Sequence, residues 1–485
     1  MLQVNVALPS GCSESLSLPQ FSKVGNLRIL AQRAFGLGIV KLITAEGHIL
    51  ADPEESLEAV GLRNGDHLTA VVLQPKLAAT ERAFALWCCG GHRIVTWGDR
   101  GFGGDSSEVR NQLKNVQQVQ ATHTAFAAIL ADGSVVTWGD KLFGGDSSTV
   151  QDQLRGVQEI QSTHFAFAAI VEDGSVVTWG DRLFGGDSST VQDQLKGVQG
   201  IQATLHAFAA IVQDGSVVTW GDPGSGGYSS IVHSQLRSVR QMQSTHYAFA
   251  ATLENGSVVT WGDPRYGGDS SAVQDKLRSV RQVQATHGAF AAIVEDGSVV
   301  TWGDRHCGGD SSAVQEQLRG VQQIQATYGA FAAILANRTI VTWGDSRYGG
   351  DTSEVQQRLT SVQKIQATWK AFAAIREDGT VLTWGDPAGG GDSSEVQDQL
   401  RNVQQIEATD DAFAAILADG SIVTWGYPDF GGDSSMVQDQ LRGVQTIHGS
   451  QGAFAAILAN GLVVTWGHQR YGGDNSQVLD QLLHL

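Results

Sequence analysis

Cysteine is scarce in this chain of 485 residues, which has only four: Cys12, Cys88, Cys89 and Cys307. No pair has the CxxC spacing of zinc knuckles and redox dithiols. Such sparse use of cysteine is typical of a reducing compartment, so we expect a cytoplasmic or nuclear protein.

Long apolar runs and basic clusters are also missing. No run approaches the roughly 18 apolar residues of a membrane span, and the start, Met1 to Val6, alternates apolar and polar residues unlike a signal peptide. Lysine and arginine number 32 against 50 acidic residues, for a net charge of −18. An acidic chain without a basic patch repels phosphate backbones and anionic lipids, so neither nucleic acid nor membrane is expected as a partner.

Catalytic signatures are missing as well. The sequence contains no nucleophile elbow, phosphate-binding loop or metalloprotease motif. We therefore expect no enzyme and no cofactor.

The dominant feature is an internal repeat of 41 residues. Thr-Trp-Gly recurs ten times, with its tryptophan at a constant spacing. The ten tryptophans are Trp97, Trp138, Trp179, Trp220, Trp261, Trp302, Trp343, Trp384, Trp425 and Trp466. A period of this length indicates stacked structural units rather than one irregular core.

One unit, residues 157–197, shows three predicted strands. Val157–Thr163 alternates apolar and polar residues, Phe167–Val171 is apolar throughout, and Ser175–Gly180 is rich in β-branched residues. Asp173-Gly174 predicts a type I′ hairpin. Asp187 or Ser188 is expected to cap a short helix that runs through Leu195.

Three-stranded units expose their edges and faces, so they must pack on one another. We expect a mostly β protein whose ten repeats form a propeller-type architecture. A closed ring and an open array are both compatible with the spacing.

The motif Asp-Gly-Ser-Val-Val-Thr-Trp-Gly-Asp-x-x-x-Gly resembles the repeat of the regulator-of-chromosome-condensation family, whose members are usually seven-bladed propellers. Gly144 to Ser147 reads Gly-Gly-Asp-Ser where that family has Gly-Gln-Leu-Gly, and Ala125 replaces its frequent histidine. The resemblance implies a binding scaffold. It also suggests a link to small-GTPase or ubiquitin pathways by analogy alone.

The N-terminal residues lack the repeat. Leu2, Val4 and Val6 alternate as a strand, a helical pattern follows between Val24 and Phe35, and Lys41–Leu50 continues the similarity to a ubiquitin-like β-grasp fold. We expect a ubiquitin-like α+β docking domain over residues 1–75 and the ten-repeat domain over residues 76–485. No terminal Gly-Gly follows Val72, so a conjugated modifier is not expected.

Two positions after the first-strand threonine vary between repeats and are rich in histidine and aromatics. They read His123-Thr, His164-Phe, Leu205-His, His246-Tyr, His287-Gly, Tyr328-Gly, Trp369-Lys, Asp410-Asp and Gln451-Gly. Exposed aromatic residues of this kind are typical of recognition surfaces, although unconstrained loops would vary too. The predicted binding surface is His123, His164, Phe165, His206, His246, Tyr247, His287, Tyr328 and Trp369.

Two features could indicate a metal site, but no metal is expected. Asp140 and Asp146 flank glycine-rich turns, but aspartate is an ordinary turn residue and the calcium-binding nonapeptide period is missing. His123 and His164 lack companion zinc ligands. The sequence therefore favours a monomeric protein-interaction scaffold, with a repeat protein that binds a small ligand or carbohydrate through its variable loops as the alternative.

Overall fold

A computed structural model describes residues 1–73, 75–88, 93–353 and 355–483. The N-terminal elements are β1 (Leu2–Ala7), β2 (Ser13–Leu18), α1 (Val24–Phe35), β3 (Val40–Thr44), β4 (Ile49–Leu50) and β5 (His67–Val72). The strands form one sheet in the order β2-β1-β5-β3-β4, with β1 parallel to β5. This arrangement is the β-grasp topology that the sequence predicts.

Helix α1 packs on this sheet because its apolar residues share one face. Val24, Leu27 and Ala31 are spaced by three and four residues and are fully buried. They meet Val4 and Val6 of β1, whose alternation places both side chains beneath the helix. Gly36, with φ of 63°, ends the helix in the left-handed conformation.

Each of the ten repeats forms one three-stranded antiparallel sheet, here called a blade. The inner strands are Pro75–Ala79, Val116–Ala121, Val157–Ser162, Val198–Ala203, Val239–Ser244, Val280–Ala285, Val321–Ala326, Val362–Ala367, Val403–Ala408 and Val444–Gly449. The middle strands are Ala83–Cys88, Ala125–Leu130, Ala166–Val171, Ala207–Val212, Ala248–Leu253, Ala289–Val294, Ala330–Leu335, Ala371–Arg376, Ala412–Leu417 and Ala453–Leu458. The outer strands are Ile94–Gly98, Val135–Gly139, Val176–Gly180, Val217–Gly221, Val258–Gly262, Val299–Gly303, Ile340–Gly344, Val381–Gly385, Ile422–Gly426 and Val463–Gly467.

The recurrent phenylalanine and tryptophan form the packing layer between blades. In the second blade Phe126 pairs with Trp138 across the sheet, and their rings stack at 5.1 Å between centroids. Both contact Ala83 and Ala85 on the middle strand of the first blade. Small alanine side chains on one blade thus leave room for the aromatic pair of the next, and both faces of a middle strand are buried.

A hydrogen bond also joins each blade to its neighbour. Trp138 Nε1 donates to the carbonyl oxygen of Gly103 in the preceding blade at 3.0 Å. Gly144 occupies the equivalent place one blade later, with φ of 102°, and a Cβ there would lie 2.5 Å from the Phe167 ring. Glycine is required because both the backbone angle and the close approach exclude a side chain.

The ten blades close into a ring. Trp97 of the first blade donates to Gly472 of the tenth at 2.9 Å, the bond that joins every other pair of neighbours. Phe84 and Trp97 share a buried core with Ala453 and Ala455 of the tenth blade. The closed ring, rather than the open array, is therefore the architecture of this chain.

Two local predictions are wrong. Gly174 has φ of 75° but Asp173 does not have a positive φ, and Gly174 N donates to Val171 O, so the hairpin is a type I turn followed by a left-handed glycine rather than type I′. The predicted helix up to Leu195 is a single 3₁₀ turn, Gln192–Gln194. Gln192 Nε2 donates to Val176 O at 2.9 Å, and this side-chain bond holds the turn against the outer strand.

The β-grasp unit contacts the tenth blade directly. Ile39 is buried in the core that the first and tenth blades share, and Gly38 N donates to Asn460 O. Glu54 adds an ion pair to Arg93 at 3.3 Å. A C-terminal helix, Leu479–Leu483, joins the same core, and among the described residues no helix is long and apolar enough to cross a membrane.

Candidate functional site at the channel mouth

A buried hydroxyl, from threonine in nine repeats and from Ser450 in the tenth, fixes the variable dipeptide of each repeat. Thr122 Oγ1 accepts a hydrogen bond from Ala125 N at 3.0 Å and donates to Phe143 O at 3.1 Å. The hydroxyl thereby ties the end of the inner strand to the loop that follows the outer strand. The two residues between Thr122 and Ala125 are consequently presented at one end of the blade.

The first residue of each dipeptide belongs to an inner ring around the central channel. His123 N donates to His164 O at 3.0 Å, and the same bond recurs from blade to blade until Gln451 N donates to Glu81 O at 3.3 Å. Strands joined in this way lie about 4.8 Å apart, so ten steps give a circumference of about 48 Å and a diameter of about 15 Å between backbones. The inner ring is Glu81, His123, His164, Leu205, His246, His287, Tyr328, Trp369, Asp410 and Gln451.

The second residue of each dipeptide forms a wider ring on the same face. Phe165 lies between two loops, with Phe143 at 4.8 Å and Phe184 at 5.1 Å between ring centroids. The second ring is Arg82, Thr124, Phe165, His206, Tyr247, Gly288, Gly329, Lys370, Asp411 and Gly452. We call the two rings together the channel mouth. The inner ring and the two residues before it in each repeat line a space of about 890 Å³.

The structure brings all nine residues of the predicted surface to this mouth. Six lie on the inner ring: His123, His164, His246, His287, Tyr328 and Trp369. Phe165, His206 and Tyr247 lie on the second ring, so the sequence prediction combined two concentric sets.

These side chains form one continuous arc from the second blade to the eighth. His123 stacks on His164 at 4.6 Å between ring centroids, and His287 stacks on Tyr328 at 4.3 Å. Trp369 ends the arc 5.7 Å from Tyr328. An aromatic surface of this extent is suited to apolar and cationic groups.

Burial keeps His164 and His246 of the arc neutral. Burial, with smaller contributions from His123 and His206, lowers the pKa of His164 to about 4. Burial likewise lowers the pKa of His246 to about 3, with added repulsion from His287. At neutral pH these imidazoles are uncharged aromatic surfaces.

The remaining sector of the mouth is charged, and the sequence prediction did not include it. Glu81 lies 2.5 Å from His123 Nε2, and Lys370 pairs with Asp411 at 3.0 Å. Burial, Asp411 and Glu81 raise the pKa of Asp410 to about 7. Asp410 and Asp411 occupy the same variable dipeptide positions as the aromatic residues. The variability of these positions could therefore have identified them from the sequence.

The repeated aspartates have turn-forming roles. Asp140 Oδ1 accepts from Leu142 N at 2.9 Å, and Asp146 Oδ1 accepts from Ser148 N at 2.9 Å. Among the described residues no group of three or more histidine, cysteine, aspartate or glutamate side chains is arranged to hold a metal ion.

Known proteins resemble this chain in structure only. No model of a protein family matches it, and no curated protein does. Prp20p of Saccharomyces cerevisiae, the yeast RCC1, is 14% identical with a TM-score of 0.34, over 74% of this chain and 83% of Prp20p. The designed protein Ika8 is 14% identical with a TM-score of 0.30, over 64% of this chain and 96% of Ika8.

The N-terminal unit has similar structures as well. A ubiquitin of Caldiarchaeum subterraneum is 19% identical with a TM-score of 0.14, over 15% of this chain and 91% of that protein. The chain is a closed ten-bladed β-propeller with an N-terminal β-grasp unit, as its own hydrogen bonds establish. Its repeats resemble those of the regulator-of-chromosome-condensation family, and at these identities the likeness carries no partner or activity.

Proposed function

We infer that this protein is a non-catalytic interaction scaffold that binds a partner protein at the channel mouth. One observation carries the proposal: the variable dipeptides of the repeats converge on one face, where their histidine and aromatic members form the arc from His123 to Trp369. Clustered, partly exposed aromatic residues supply much of the affinity at protein interfaces.

The repeated polar groups support a role without catalysis. Thr178, Ser188 and Gln192 bond to one another and to the backbone, and equivalents of this network recur around the ring. Residues repeated in this way serve each blade and do not form one tuned site. Cys12 and Cys307 are free thiols, which supports the proposed location in the cytoplasm or nucleus.

Within this proposal, residues 1–75 form a ubiquitin-like docking domain, and residues 76–485 form the ten-repeat domain that carries the channel mouth. Prp20p binds Gsp1p and histones. Neither partner is transferred to this chain, because the similarity concerns the fold alone.

The test compares proteins captured from cell extract by three purified full-length chains. The first is the original chain, the second carries Tyr328→Ala and Trp369→Ala in the mouth, and the third carries Glu172→Ala and Gln213→Ala. Glu172 and Gln213 are exposed at hairpin tips on the opposite face. A stoichiometric partner lost only by the second chain supports the proposal, and equal capture by all three contradicts it.

A small-ligand or carbohydrate site is the second candidate. A space of about 890 Å³ lined by Tyr328 and Trp369 is of the size that small molecules occupy. Binding on a glycan array that is lost with Trp369→Ala, together with no protein captured at the mouth, would favour this function.

A further inference from the structure

One sector of the channel mouth carries more acid than base. It runs from the eighth blade through the ninth and tenth to the first and holds the carboxylates Glu81, Asp410 and Asp411. The cations within it are Arg82 and Lys370.

The ion pairs within this sector involve two of its three carboxylates. Glu81 is held by Arg82 at 3.3 Å and by His123 on its other oxygen, and Lys370 holds Asp411 at 3.0 Å. Among the described residues, no ion pair reaches the Asp410 carboxylate: Lys370 pairs with Asp411 and acts on Asp410 only through its nearby charge. A half-buried carboxylate at the edge of a cavity is stabilised when a cation reaches it.

An exposed indole lies next to this carboxylate. Trp369 N donates to Asp410 O at 2.9 Å, so the two residues are neighbours on the inner ring. The Trp369 side chain is 47% exposed, whereas the ten repeat tryptophans are 3–4% exposed. An indole face beside an unpaired carboxylate attracts a cation by cation–π and charge interactions together.

The rim of the same sector is open to a basic partner. Seven blades carry a lysine or arginine in the loop after Trp-Gly: Arg100, Lys141, Arg182, Arg265, Arg305, Arg347 and Arg470. The eighth and ninth blades instead have Pro387-Ala-Gly and Pro428-Asp-Phe, with Asp429 exposed. A basic segment therefore meets no repelling side chain in these two loops, and the net charge of −18 favours its approach.

We propose that the partner presents a basic, extended segment that crosses the eighth and ninth blades and places one arginine or lysine cation between Trp369 and Asp410. This inference rests on the proposed function and adds the chemistry of the partner. An arginine fits best, because its planar guanidinium stacks on an indole while it pairs with a carboxylate.

The experiment measures binding of a fluorescent glycine-serine peptide with spaced arginines to the full-length chain, beside the same peptide with citrulline. Citrulline keeps the shape of arginine but removes its charge. The protein variants are Asp410→Asn, Trp369→Leu and a control, Asp439→Asn, in which a fully exposed carboxylate of the ninth blade is lost. Circular dichroism shows that each variant is folded.

We expect the arginine peptide to bind and to weaken about fivefold or more with Asp410→Asn or Trp369→Leu, while Asp439→Asn binds as the original chain does. Equal binding of the citrulline peptide, or equal weakening by Asp439→Asn, would overturn the inference. A third outcome is that the chain with Tyr328→Ala and Trp369→Ala loses its captured partner while the arginine peptide does not bind the original chain. That result would overturn this inference but would still support the proposed function. If neither partner capture nor peptide binding depended on the channel mouth, both this inference and the proposed function would be wrong.

Discussion

The backbone N–H of Gln451 donates to the carbonyl oxygen of Glu81 at 3.3 Å, and this bond joins the tenth repeat to the first. The nine equivalent bonds around the inner ring measure 2.9–3.1 Å. Because the seam repeats the contacts of every other junction, the ring closes without a special clasp. Closure leaves no blade with an uncovered face.

Because the ring is closed, disrupting the junction between the tenth and first blades should lower the free energy of unfolding as much as disrupting any other junction. Trp97 Nε1 donates to Gly472 O across the seam at 2.9 Å, and Trp302 Nε1 donates to Gly267 O inside the ring at 3.1 Å. Trp97→Phe and Trp302→Phe each leave a buried carbonyl without its donor, and each should lower the free energy of unfolding by about 2 kcal/mol. Urea denaturation measures both. A much smaller cost for Trp97→Phe would show that the ring is open in solution.

Trp369 should dominate the quenching of tryptophan fluorescence. The other eleven tryptophans are 3–4% exposed, so acrylamide reaches Trp369 alone. Trp369→Phe should abolish the quenched fraction, whereas Trp384→Phe, a change in the same blade, should preserve it. Strong quenching that survives Trp369→Phe would mean that the aromatic layer between blades is open to water.

His246 should make the protein sensitive to acid. Its pKa is lowered from 6.5 to about 3 by burial and by His287, His164 and His206, so the unfolded chain takes up a proton that the folded chain refuses. The free energy of unfolding therefore falls as the pH drops from about 6.5 toward 3. At pH 5 this costs about 2 kcal/mol.

The variant His246→Gln tests that dependence. This variant should lose less stability between pH 7 and pH 5 than the original chain. Denaturation at both pH values measures the free energy of unfolding. His233→Gln, at an exposed position in the fourth repeat, is the control. Identical pH profiles for His246→Gln and the original chain would place the His246 imidazole in water.

Much of the fold follows from the repeat alone. The alternation of Val157–Ser162 and the apolar Ala166–Val171 predict the inner and middle strands, because burial on one or two faces leaves a direct mark on sequence. Closure leaves no such mark. It depends on the small rotation between neighbouring blades, which a single 41-residue unit does not reveal.

The candidate site, like the fold, is predicted only in part by the sequence. The variable dipeptides predict where the surface lies. Thr163 holds the same turn in its repeat that Thr122 holds in the one before, so equivalent dipeptides are presented at the same end of each blade. The acidic sector was missed because an aspartate in a variable loop ordinarily indicates exposure to solvent. Burial and Asp411 raise the pKa of Asp410, and ring closure adds the charge of Glu81 from the other end of the repeat array.

Asp410 should destabilise the protein as the pH rises. Burial, Asp411 and Glu81 raise its pKa from 3.8 to about 7, and Lys370 opposes them only in part. The folded chain keeps a proton that the unfolded chain releases between about pH 4 and pH 7, so the free energy of unfolding falls as pH rises through this window. Asp410→Asn removes the proton exchange and should be more stable than the original chain by about 4 kcal/mol at pH 8, with little difference at pH 4.

Urea denaturation at pH 4 and pH 8 measures this effect, with Asp439→Asn as the control for loss of a charge. The sign is opposite to that of His246, so the two groups are distinguishable in one pH series. An Asp410→Asn variant no more stable than the original chain at pH 8 would mean that water or a counter-ion already neutralises the carboxylate. Where Asp410→Asn is the more stable at pH 8, an arginine peptide should reduce that difference in stability, because a cation beside Asp410 lowers its pKa and stabilises the ionised form only in the original chain.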